Sequence, residues 1–209
     1  AGTVRWPDVE VCARAAALVG RLHATASPVL PRRFDFAVPY RESLFEALDE
    51  GWQAGPYGER TRDLVRHSRP AGEALLAHYD RLVEAVTRDA TPWVVTHGEP
   101  HSGNFIVGRD GALHLIDWDT VRLAPAERDL APLLIDQPEV LAAYRSSGGP
   151  HAPRDEAVRL FRVWWDVTEI CGYVHHFRGP HADSRDDQTR WTALEGYLQV
   201  EKNWPDVVT

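Results

Sequence analysis

Between Trp93 and Asp119 the chain reads WVVTHGEPHSGNFIVGRDGALHLIDWD, and this stretch limits the fold more than any other. Gly98, Pro100 and Gly103 forbid a helix over His97 to Asn104, since proline lacks the donor and glycine carries the entropy cost, so the segment is an irregular loop. Ahead of it, Trp93-Val94-Val95-Thr96 is a β-branched run suited to a buried strand. Behind it, Phe105-Ile106-Val107 and Leu113-His114-Leu115-Ile116 flank Gly108-Arg109-Asp110-Gly111, whose Asp-Gly pair is a strong hairpin signal. Strand, loop and hairpin thus form one small β unit, with the polar side chains of the loop displayed at its end.

Helical spacing surrounds this unit on both sides. Asp8 caps an expected helix to Ala24 whose apolar positions include Val9, Cys12, Ala15, Ala16, Val19 and Leu22. Residues 25–40, with Pro28, Pro31 and Pro39, read as an extended surface connection. Helices are expected over Ser43 to Trp52, Glu59 to His67 and Ala71 to Arg88, and after Pro125 over Glu127 to Ile135, Glu139 to Arg145, Asp155 to Phe177 and Asp187 to Lys202. Many helices around one small β unit make an α+β, predominantly helical domain. No internal repeat or low-complexity tract is present.

The 209 residues suffice for one sizeable core. A formal charge of -8 argues against a nucleic-acid surface and favours a cationic small-molecule partner. The first twenty residues combine neither a basic start nor an apolar run, and no stretch nears the roughly 20 apolar residues of a membrane span. A cytoplasmic protein with no membrane partner is expected. Cys12 and Cys171 both fall in apolar helical patterns and read as buried thiols in a reducing compartment. Oligomeric state is not legible.

The loop and hairpin carry oxygen ligands. Glu99 and Asn104 converge from the irregular loop, and Asp117 returns to the same place by the hairpin. Phosphoryl transfer needs a carboxylate near the acceptor hydroxyl and Mg²⁺ held on nucleotide phosphates. Asn104 and Asp117 are hard oxygen donors of the kind Mg²⁺ takes, and Glu99 is the candidate base.

THGEPHSGNFIV, followed by LIDWD and by RDLA at Arg128 to Ala131, resembles the aminoglycoside phosphotransferase family, relatives of protein kinases and choline kinases. His97, Gly98, His101, Gly103, Asn104, Ile116, Asp117, Trp118 and Asp129 fall at that family's spacing. VGRLHA at 19–24 and the Trp-rich helix at 161–177 carry weaker likeness. The resemblance implies a protein-kinase-like C-terminal lobe with a small β-hairpin carrying the catalytic loop. It implies Glu99 as catalytic base, Asn104 and Asp117 as Mg²⁺ ligands, Asp119 assisting the metal and nucleotide site, and ATP (or GTP) as donor. Asp129 braces the loop, with His97 and His101 as structural support. Asp166, Glu169 and Asp183 fall where the family collects substrate ammonium groups. The acceptor is then a hydroxyl of a small, cationic molecule such as an aminoglycoside antibiotic.

Two departures stand out. Position 99 is Glu where the family most often has Asp, which moves the carboxylate by about an ångström, enough to cost on the order of 100-fold in rate. The family also has an N-terminal sheet lobe with a phosphate-binding lysine, whereas the only lysine here is Lys202, near the other end. Residues 1–209 are therefore expected to be the C-terminal lobe alone, inactive without its N-terminal lobe. Two rival readings are a degenerate, non-catalytic binding module and a metal-dependent hydrolase using His97, His101 and Asp117, with Asp119 as a further candidate.

Overall fold

The computed structural model describes residues 2–3, 8–26, 31–133 and 135–207, the first pair by backbone alone. Residues 1 and 4–7 ahead of the first helix, 27–30 of the extended connection, 134 of the helix expected over 127–135, and 208–209 lie outside the described residues. The chain forms two compact units. One comprises Ala1–Asp35 and Ala85–Arg162, the other Phe36–Glu84 and Val163–Thr209. Small antiparallel sheets set among helices give the α+β, predominantly helical fold that the sequence implies.

In the first unit, α1 (Val9–Ala24) starts where Asp8 Oδ1 accepts the N–H groups of Glu10 and Val11 at 2.9 and 3.3 Å. Its buried face is Cys12, Ala15, Ala16, Val19, Gly20 and His23, and it packs on α4 (Pro138–Ser146). Gly20 permits this approach: a Cβ there would lie 2.5 Å from the Tyr144 carbonyl oxygen. The expected hairpin is β3 (Phe105–Val107) and β4 (Leu113–Leu115), with Phe105 opposite Leu115. β1 (Gly2–Thr3) pairs with the other edge of β3.

The expected strand at 93–96 is β2 (Val94–Thr96), and it pairs antiparallel with β5 (Arg122–Ala124). Residues 32–34 lie along β5, Phe34 N–H donating to the Leu123 carbonyl and Leu123 N–H to the Arg32 carbonyl at 2.8 and 3.0 Å. Neither β1 nor β5 is foreseen by the sequence, because strands of two and three residues carry no readable alternation. α3 (Glu127–Leu130) is one turn rather than a helix to Ile135. Beyond it the backbone closes through tighter bonds, Leu133 N–H to Leu130 O and Ile135 N–H to Leu133 O.

The second unit corrects three more helical expectations. α2 (Gly58–Arg88), whose last residues belong to the first unit, runs unbroken through Pro70 instead of forming two helices. Thr61, Val65, Ala71, Leu75, Tyr79, Leu82 and Val86 make one buried stripe across the break. Burial of about 1.5–3 kcal/mol per large side chain outweighs the roughly 3 kcal/mol an interior proline costs. Over Ser43 to Trp52 there is no α-helix, only a 3-10 turn at Arg41–Ser43 and further turns. Leu44, Leu48 and Trp52 are buried at helical spacing, but Ala47 sits at φ 54° and its carbonyl takes the Trp52 indole N–H at 2.9 Å.

The helix expected over 187–202 is two, α6 (Arg185–Tyr197) and α7 (Val200–Asn203), separated at Gln199 with ψ 51°. α5 (Asp155–Arg178) is the long helix anticipated, and it crosses from the first unit into the second. Among the described residues no helix is long and apolar enough to cross a membrane.

Candidate active site

The loop His97 to Asn104 is held by a carboxylate beneath it. Asp129, fully buried on α3, accepts the His97 N–H on Oδ2 and the Gly98 N–H on Oδ1, both at 2.7 Å. His23 Nε2 lies 3.1 Å from Oδ2. Burial alone would raise the Asp129 pKa, but the bond from His23 and the two amides more than offset it, so the carboxyl is held below its ordinary value. One short helix thus pins two consecutive loop amides.

His97, also fully buried, uses both ring nitrogens. Nδ1 accepts the Glu99 N–H at 3.3 Å, so Nε2 carries the proton and donates to the Ile116 carbonyl at 2.9 Å. The imidazole therefore ties the loop to the residue before Asp117, and Trp118 packs edge-on against it at 4.8 Å. With both nitrogens committed, His97 has none to offer a metal, and the hydrolase reading loses its first ligand. Among the described residues no cluster of three or more His, Cys, Asp or Glu is arranged to hold a metal ion.

Gly98 has φ 107°, and a Cβ there would lie 2.3 Å from the Arg128 guanidinium. Both facts require glycine. Arg128 lies buried under the loop, donating from Nη1 to Thr96 Oγ1 and the Thr120 carbonyl at 3.0 and 2.9 Å. Thr120 Oγ1 in turn donates to the His97 carbonyl at 2.8 Å. Arg128 falls within the RDLA stretch, but no local pattern assigns a role to it, to Thr96 or to Thr120. Their signal is only spatial.

Glu99 is half-buried, and its carbonyl accepts the His101 N–H and Asn104 Nδ2, each at 2.8 Å. His101 Nδ1 accepts the Gly103 N–H at 3.1 Å, capping the 3-10 turn Ser102–Asn104. Because the Asn104 amide nitrogen is spent inward, Oδ1 is the face it can offer a ligand. The Asn104 carbonyl also accepts the Ile116 N–H at 2.9 Å, which sets Asn104 and Asp117 at the same end of the hairpin. Asp117 is exposed, at φ 65°, between half-exposed Ile116 and Trp118. Asp119 is exposed in the following turn. The donor set, one amide oxygen and one exposed carboxylate, fits a hard cation such as Mg²⁺.

The three remaining acidic residues lie in the second unit. On α5, Asp166 Oδ2 accepts the Trp204 indole N–H at 2.8 Å. Burial pushes its carboxyl up to about 6, against the lowering effect of that bond and with help from the Glu169 charge. Burial, and then the neighbouring Glu169 carboxylate, push the Tyr173 hydroxyl above its ordinary value. Asp183 Oδ1 accepts the Tyr57 hydroxyl at 2.5 Å and Gln188 Nε2 at 3.0 Å, and these bonds hold it below the usual carboxylate range. Asp183 lies in the segment ahead of α6, off the helix that carries Asp166 and Glu169.

The described loop matches a known pattern. The model of the phosphotransferase enzyme family, APH, covers residues 2–161. The chain belongs to this family. Among curated proteins, Protein StrN of Streptomyces griseus is 28% identical over 194 residues, covering 87% of this chain and 57% of StrN. Among solved structures, spectinomycin phosphotransferase APH(9)-Ia in complex with ADP and spectinomycin superposes with a TM-score of 0.72 at 18% identity, covering 95% of this chain and 64% of that one. Choline kinase LicA from Streptococcus pneumoniae gives 0.57 at 18% identity, over 95% and 66%. These likenesses establish a kinase-like fold. The chain spans less than two thirds of the length of each of these proteins.

Proposed function

We propose that this chain is the metal- and acceptor-holding lobe of a Mg²⁺-dependent phosphotransferase that moves the γ-phosphate of ATP (or GTP) to a hydroxyl of a small, cationic molecule such as an aminoglycoside. The observation that carries the reading is the Asn104 side chain, whose amide nitrogen is bound to the Glu99 carbonyl while its backbone accepts Ile116 N–H. Base, amide ligand and carboxylate ligand are thereby referred to one rigid frame.

Asn104 and Asp117 would hold the Mg²⁺, which would supply positive charge to offset the negative charge developing on the phosphates. Glu99 orients the acceptor hydroxyl and takes its proton as the oxygen attacks the γ-phosphorus, whose bond to the departing nucleoside diphosphate breaks. Asp119 supports the nucleotide side, and His97, His101 and Asp129 keep the loop in register. Asp166, Glu169 and Asp183 are the candidates for acceptor ammonium groups, consistent with the net charge of -8. The phosphate-binding lysine and the base-binding linker would come from an N-terminal lobe, without which the chain is inactive.

In a protein carrying both lobes, Glu99→Gln should lower kcat by at least about 100-fold and leave nucleotide affinity unchanged. Wild-type turnover in that variant would remove Glu99 from the role. Absence of turnover in the unmutated two-lobed protein would favour the binding-module reading instead.

A further inference from the structure

Asp129 braces the loop by holding its carboxylate plane toward two amides, one on each oxygen. Fully buried, that carboxylate needs a further donor to keep its charge and its place. The group that supplies it is His23, whose Nε2 contacts Oδ2 at 3.1 Å. His23 is itself buried on α1, and its other nitrogen, Nδ1, faces the Tyr144 hydroxyl at 3.0 Å, the two rings meeting edge to face at 5.7 Å.

Tyr144 sits fully buried on α4, in a space prepared for it. A Cβ on Gly149 would lie 2.4 Å from its ring, and one on Gly20 would meet its carbonyl oxygen. Burial raises the phenol pKa above its ordinary value, so the hydroxyl keeps its proton. A neutral phenol donating to Nδ1 leaves the imidazole proton on Nε2, the nitrogen aimed at the carboxylate. The opposite tautomer would point a lone pair at Asp129 and repel it.

We propose that Tyr144 and His23 are positioning residues for the phosphotransfer loop: Tyr144 selects the Nε2–H tautomer of His23, which locks the Asp129 carboxylate and through it the His97 and Gly98 amides ahead of Glu99. The inference rests on reading 97–104 as the catalytic loop, but its test needs no turnover. It extends the site to α4, a helix to which the sequence assigned nothing.

The test is amide hydrogen exchange and imidazole ¹⁵N NMR on the 209-residue chain and three variants. In Tyr144→Phe the His97 and Gly98 amides should exchange about tenfold faster while α1 and α4 amides keep their protection, and the His23 ¹⁵N shifts should leave the Nε2–H pattern. His23→Ala should show the same loop loss. His23→Gln, which can present an amide N–H toward Oδ2, should restore protection of both loop amides to within about threefold of the parent. Unchanged loop amides in Tyr144→Phe would overturn the role of Tyr144, and unchanged loop amides in His23→Ala would overturn the relay. Equal loss of protection across α1, α4 and the loop would mark both residues as ordinary core and also overturn it. Failure of the phosphotransferase assay would leave these exchange rates untouched, so the two ideas fail separately.

Discussion

Gly98 shows at the residue scale how little tolerance the loop has. Replacing it with alanine places a Cβ at φ 107° and into the Arg128 guanidinium, so Gly98→Ala should destabilise the chain by at least about 2 kcal/mol in urea unfolding. Asp129→Asn keeps the size but turns one acceptor into a donor facing an N–H. It should cost about 3 kcal/mol and accelerate exchange at His97 and Gly98 first. Asp166 behaves in the opposite sense from a paired carboxylate. Burial holds its pKa at about 6 in the folded state, above the unfolded value near 3.9. The folded state therefore binds the proton more tightly, and this contribution to stability is full below about pH 4 and is lost as pH rises to about 6. Asp166→Asn should flatten the stability profile over that window and stabilise the chain at pH 7 by on the order of 1–2 kcal/mol. A parallel profile in parent and variant would show that the carboxyl is not desolvated.

Elements were legible where length gave periodicity a chance. α1, α4 and α5, and the hairpin β3–β4, follow from apolar spacing, capping and the Asp-Gly turn. His23 was within reach of the same reasoning, since it continues the buried stripe Cys12, Ala16, Val19 of α1. Pro70 misled because local chemistry favours a break there, whereas the shared apolar face on both sides of it favours continuity. Pro70→Ala in α2 should restore a backbone donor and raise stability by about 1–3 kcal/mol, measured by denaturant unfolding. No gain would mean that the helix already accommodates the ring without strain. Over 43–52 the apolar spacing is helical but Ala47 is left-handed, so burial there is achieved by turns.

For the whole molecule, the two units divide the candidate residues. The loop, hairpin and Asp129 belong to the first, and Asp166, Glu169 and Asp183 to the second. The family match extends over residues 2–161. If the phosphate-binding groups lie in a separate lobe, titration calorimetry of this chain with Mg²⁺ and ATP should give a Kd weaker than about 1 mM. Micromolar binding would place those groups within the chain and overturn the single-lobe proposal.

The sequence by itself determined the strand at 94–96, the hairpin at 105–115 and the irregular loop between them, because glycine, proline and β-branched residues act on their own backbone and carry their signal locally, whereas the structure places that strand and that hairpin in two separate sheets. It also supplied Glu99, Asn104 and Asp117 as a spaced set. Only the tertiary structure decided what makes that set rigid. The Arg128 contacts under Gly98, the His97 bond to Ile116 and the path from Tyr144 through His23 to Asp129 join residues 8 to 121 positions apart. Such partners share no local pattern, and burial chooses them because each polar group taken from water must find another.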